Sequence, residues 1–112
     1  METKRQKQVS KLIQKELSLI FQKETYKYLG NILVTVTSVR VSPDLSVSKV
    51  FLSIFPAESP ESALFVLNQN KKFFRVLLAK SCRHQLRIVP EVIFYLDDSA
   101  EYAEEIDRLL NQ

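Results

Sequence analysis

Residues 32–55 read ILVTVTSVRVSPDLSVSKVFLSIF, two runs of β-branched and apolar residues separated by Ser42-Pro43-Asp44-Leu45. Val, Ile and Thr are stiff at χ1 and suit a pleated surface better than a helix. The first run, Ile32 to Val41, has no helical period. The second, Val47 to Phe55, alternates and puts Val50, Leu52 and Ile54 on one side. Between them Pro presets φ and Asp bonds its own backbone, which is turn chemistry. The spacing predicts an antiparallel hairpin with one apolar face that needs a cover.

The segment before the hairpin supplies it. From Lys4 to about Tyr28, Val9, Leu12, Ile13, Leu17, Ile20 and Phe21 recur at the i, i+3, i+4 spacing of an amphipathic helix. Lys4, Lys7, Lys11 and Lys15 form a second stripe about 180° away. Gly30 and Asn31 stop the helix, Gly because a C-terminal cap wants a left-handed residue.

After the hairpin, Ser59-Pro60-Glu61 reads as an N-cap, a first-turn proline and an acid at the helix start. The apolar residues Ala63, Leu64 and Leu67 give way to the polar run Asn68-Gln69-Asn70-Lys71-Lys72, and Phe73, Phe74, Leu77 and Leu78 follow, so two helices or one kinked helix are expected. Lys72, Arg75 and Arg83 fall opposite this stripe, with Lys80 to one side. Pro90 precedes Val92-Ile93-Phe94-Tyr95-Leu96, an apolar run suited to a buried third strand. Ser99 then reads as the N-cap of a short helix, about 99–110, with Tyr102, Ile106, Leu109 and Leu110 on one side and acids on the other. The expected architecture is one α+β domain over residues 1–112, its three-stranded sheet covered by helices on one face.

Composition narrows the function. With 112 residues, 46% hydrophobic and 26% charged, the chain has material for one core. The single Cys82 rules out an internal disulfide and fits a reducing compartment. One glycine excludes Gly-rich phosphate loops. Neither a leader pattern nor a run near ~18 apolar residues is present, so a cytoplasmic protein without a membrane span is expected. The net charge of +3 is unevenly spread. Residues 1–30 carry seven Lys/Arg against three Glu, residues 62–90 six Lys/Arg and no acid, and residues 91–112 seven acids against Arg108. Two basic segments and an acidic tail suit a polyanionic partner.

Several pieces taken together resemble the ribosome-binding factor A family. They are the opening Lys4-Arg5-Gln6-Lys7-Gln8-Val9 and its long helix, the run Val34 to Leu45 ending in Val41-Ser42-Pro43-Asp44-Leu45, then Lys49 to Ser53, Arg75 to Lys80, and Leu86-Arg87-Ile88-Val89-Pro90-Glu91 leading to Phe94. The likeness spans nearly the whole chain in order. It implies a type II KH-like fold, whose helix-strand-strand-helix-helix-strand order agrees with the pattern read above; the acidic C-terminal helix is an addition. It also implies a non-enzymatic, cofactor-free assembly factor of the free small (30S) ribosomal subunit. Such a factor assists late maturation and processing of 16S rRNA, supports growth at low temperature, and works as a monomer beside other assembly factors. KH modules grip nucleic acid with a Gly-x-x-Gly loop between two helices. The family is similar but ends a small-residue kink in glycine, whereas this chain has Asn70-Lys71-Lys72.

The residues expected to contact RNA are therefore Lys4, Arg5, Lys7, Lys11 and Lys15 on the first helix, and Asn70, Lys71, Lys72, Arg75, Lys80, Arg83 and Arg87 in the second basic segment. Their plain alternative is a solvated cationic surface. Phe73, Phe74 and Phe94 are expected in the core, and Tyr26 and Tyr28 at the surface. Cys82 and His84, two apart on a helix, point away from each other and make no catalytic pair. No metal-ligand spacing exists. The acids Asp97, Asp98, Glu101, Glu104, Glu105 and Asp107 surround a helix start that favours negative charge, and a hydrolase built on them lacks a base and a pocket. The rival to RNA binding is a basic protein interaction module, monomeric or dimeric, in which Tyr26, Tyr28 and the basic face meet an acidic partner.

Overall fold

The computed structural model describes residues 2–30, 32–55 and 60–97, with the side chains of residues 25–29 outside the description. The expected helix at 99–110, the acids Asp98 to Asp107, the Ser59 cap and the exposure of Tyr26 and Tyr28 lie outside the described residues.

The first helix, α1, runs Lys4–Leu29. A capping box starts it: the Gln6 N–H donates to Thr3 Oγ1 at 3.1 Å, and the Thr3 N–H donates back to Gln6 Oε1 at 2.7 Å. The Thr-x-x-Gln spacing that carries this box is plain in the sequence, although the apolar period alone places the helix there. Gly30 follows with φ +70°, the left-handed stop expected of it. Val9, Ile13, Leu17, Ile20 and Phe21 are buried on one side.

Strands β1 (Leu33–Val41) and β2 (Val47–Phe55) pair antiparallel, as expected. Val34 and Val36 face inward, yet so do Val39 and Val41, although the parity differs. A bulge between Val36 and Ser38 shifts the register and resets the alternation. Strand β3 (Glu91–Leu96) lies parallel to β2, giving the order β1-β2-β3. Parallel neighbours need a long crossover. Helices α2 (Pro60–Gln69) and α3 (Lys71–Cys82) provide it.

The three helices of the described residues pack on one face of the sheet. At the centre Phe21, Phe74 and Phe94 meet with ring centroids 5.2, 5.5 and 5.8 Å apart, joining α1, α3 and β3. Each such contact adds about 0.5–1.5 kcal/mol beyond the buried area. Phe73 departs from the expected core position: it is 38% exposed, because Phe74 and Leu78 take the inward side of α3.

Candidate nucleic-acid interface

The junction between α2 and α3 is a single residue. Asn70 has φ −107° and ψ 16°, a bridge-region conformation open to any L-residue. Its Nδ2 donates to the Val66 carbonyl at 2.8 Å, and its backbone N–H donates to the Val66 and Leu67 carbonyls at 3.2 and 3.1 Å. The amide thus ends α2, and the break forms with negative φ, which is why it needs no glycine. Asn70 places no side-chain cap on α3, whose first turn carries Lys71 and Lys72 and no acid. The positive end of the helix dipole and two exposed ammonium groups therefore coincide.

Facing this turn is the edge of β3 that no strand among the described residues covers. The Glu91 N–H donates to the Ser46 carbonyl and the Asp97 N–H to the Leu52 carbonyl, so the odd-numbered residues of β3 bond to β2. In a parallel ladder both polar groups of a residue point the same way. The even residues Val92, Phe94 and Leu96 thus turn theirs outward. Phe94 is closed off by Asn68, whose Nδ2 donates to the Phe94 carbonyl at 3.0 Å and whose Oδ1 accepts the Phe94 N–H at 3.0 Å. Val92, two residues back, borders a groove of about 200 Å³ lined by Lys71, Lys72, Arg75, Glu91, Val92 and Ile93.

Of the residues expected to contact RNA, the groove gathers Lys71, Lys72 and Arg75. Arg75 is committed to the fold: its Nε and Nη2 donate to the Val89 carbonyl at 3.3 and 2.9 Å and fix the approach to β3. Asn70 shapes the junction. Lys80, Arg83 and Arg87 are exposed but do not line the groove. Lys4, Arg5, Lys7, Lys11 and Lys15 are exposed along α1. Sequence reasoning misses Asn68 and the Val92 backbone. One sits inside a polar run, and backbone groups carry no residue signature.

Burial pushes the Cys82 thiol up to about 11, helped by the Glu16 carboxylate, while His84 is exposed. That is the reverse of an activated nucleophile. Among the described residues no three His, Cys, Asp or Glu side chains cluster to hold a metal, and no helix is long and apolar enough to cross a membrane.

Among the described residues, the order helix-strand-strand-helix-helix-strand with the helices on one face of a three-stranded sheet is that of a KH-like domain. The family model for ribosome-binding factor A matches residues 5–110. Ribosome-binding factor A of Cytophaga hutchinsonii is 45% identical over 112 residues, covering 100% of this chain and 84% of that one. The chain belongs to the ribosome-binding factor A family. Among solved structures, the crystal structure of the Thermus thermophilus member superposes with a TM-score of 0.67 at 27% identity, covering 81% of this chain and 94% of that chain. A Thermus thermophilus homology model fitted into the cryo-EM map of a 30S complex shares the fold at TM-score 0.59 and 23% identity, over 88% of this chain and 97% of that one.

Proposed function

We propose that this protein binds the free small ribosomal subunit and assists late maturation and processing of its 16S rRNA without catalysing a reaction itself. The observation that carries this is the groove: Lys71 and Lys72 stand at an uncapped helix start, opposite the outward-turned backbone of Val92. Flexible cations hold phosphates through counterion release. The exposed lysines of α1 extend the cationic surface. The Thermus family member described in a 30S complex supports the choice of partner. A cytoplasmic location, a monomeric state and a role in growth at low temperature accompany this proposal.

The test is co-sedimentation of the full chain with free small subunits, assembled ribosomes and an unrelated structured RNA, each at low and moderate salt. Retention on free small subunits at moderate salt supports the function. Equal binding to all three, lost as salt rises, contradicts it.

A further inference from the structure

The helices leave the other face of the sheet without a cover among the described residues. Its outward side chains include Arg40 on β1, Lys49 and Phe51 on β2, and Ile93 and Tyr95 on β3. Phe51 and Tyr95 are register partners with ring centroids 5.7 Å apart and planes 29° from parallel. One row along, Arg40 is paired directly with Lys49. Like charges opposite each other weaken a sheet. Among the described residues, neither cation has an ion-pair or hydrogen-bond partner that relieves the repulsion. Arg40 and Lys49 also line a 330 Å³ cavity beside the Ser42-Pro43 turn. Glu91, opposite Val47, and Asp97, whose N–H continues the β3 ladder to the Leu52 carbonyl, are the acids in phase with this face among the described residues, at its two ends.

We propose that this helix-free face is a second binding site for single-stranded RNA, with a base stacked on Phe51 and Tyr95 and adjoining phosphates on Arg40 and Lys49. Open sheets that carry aromatic rings beside cations hold unpaired RNA in this way, through stacking that tolerates any base and salt-sensitive backbone contacts. The adjacent Arg40 and Lys49 select an anionic group, and the paired rings beside them select one with exposed bases. Ile93 makes the face continuous with the groove, since it lines the groove and is the register partner of Lys49. A strand leaving the groove around the β3 edge arrives here. The inference does not depend on the small-subunit function, because a short oligonucleotide tests it without a ribosome.

The probe is a fluorescent oligouridylate of about eight nucleotides, bound to the full chain, with a hairpin duplex for comparison. Phe51→Thr and Tyr95→Thr keep strand propensity, and each is expected to weaken oligouridylate binding about tenfold while leaving the duplex unaffected. Ultraviolet crosslinking of the unmodified chain is expected at Phe51 or Tyr95. Lys49→Glu turns the repelling pair into an attracting one, so its melting temperature rises as its affinity falls. Unchanged affinity in the folded threonine variants, or crosslinks confined to α3, overturns the proposal; either is the outcome if residues 98–112, a second copy or a protein covers the face. Should the threonine variants fail to fold, a Lys49→Glu chain that is stabilised yet binds as before overturns it equally.

Discussion

Asn68 and Phe94 are joined at both ends, the side-chain amide of one pairing with the backbone N–H and C=O of the other at 3.0 and 3.0 Å. A residue of α2 thus does for an edge strand what a neighbouring strand would do. Open edges invite pairing with other chains. Closing this one at Phe94 divides the outward-turned backbone into Val92, beside the lysines, and Leu96. Asn68→Ala leaves both backbone groups without their partner and is expected to cost about 1–3 kcal/mol. Urea unfolding checks this, with the midpoint falling and the slope unchanged.

Arg75 and its lysine neighbours are expected to separate by assay. Arg75→Lys loses the two-point grip on the Val89 carbonyl, which a point-charge ammonium does not reproduce, and destabilises the fold by about 1–3 kcal/mol. Lys71→Ala and Lys72→Ala, at exposed positions, leave stability within about 0.5 kcal/mol and weaken RNA binding. Thermal melts read beside RNA titrations distinguish the two behaviours.

The strands and the long helix are legible in the sequence because their signal is periodic. Val50, Leu52 and Ile54 alternate as their burial does, and Val9, Ile13 and Leu17 recur at helical spacing. The bulge at Thr37 is not legible, since Val36 and Val39 fit either parity until β2 is placed beside them. The cationic segment is visible as composition, but its division of labour is not. Arg75 and Lys72 look alike in sequence, and only the position of the Val89 carbonyl makes one a clamp. The parallel placement of β3 is equally non-local. It brings Val92 to an edge and Tyr95 beside Phe51, and no local pattern encodes either.

The hairpin turn is expected to be sensitive to acid. Leu45 sits at φ 62°, which is unfavourable for a bulky side chain. Asp44 helps hold it there by accepting hydrogen bonds from Ser42 Oγ, Ser46 Oγ and the Ser46 N–H at 2.7, 2.7 and 3.1 Å. The Ser42 bond first, then those from Ser46, keep the Asp44 carboxyl below its ordinary 3.8. An acid depressed in the folded state stabilises it above that ordinary value and loses the effect as pH falls through the lower folded one. Asp44→Asn therefore flattens the acid limb of a stability-against-pH curve measured by urea unfolding.

Cys82 gives the opposite dependence. Its folded pKa of about 11 lies above the ordinary 9.0, so stability is unaffected near neutrality and declines as pH rises from 9.0 toward 11. Cys82→Ala abolishes this alkaline decline. In the unmodified chain a thiol reagent at mild pH reacts at the rate of opening of the α3 region, because the side chain is fully buried.

The most direct test of the groove as an RNA site is the salt dependence of binding to free small subunits, compared between the unmodified chain and Lys71→Ala/Lys72→Ala. Each lost phosphate contact lowers the slope of log affinity against log salt by about 0.7 to 0.9, depending on whether the RNA is single- or double-stranded. The predicted result is weaker binding with a slope lower by roughly twice that amount. An unchanged slope and affinity would make Lys71 and Lys72 merely solvated and contradict the groove as the binding site.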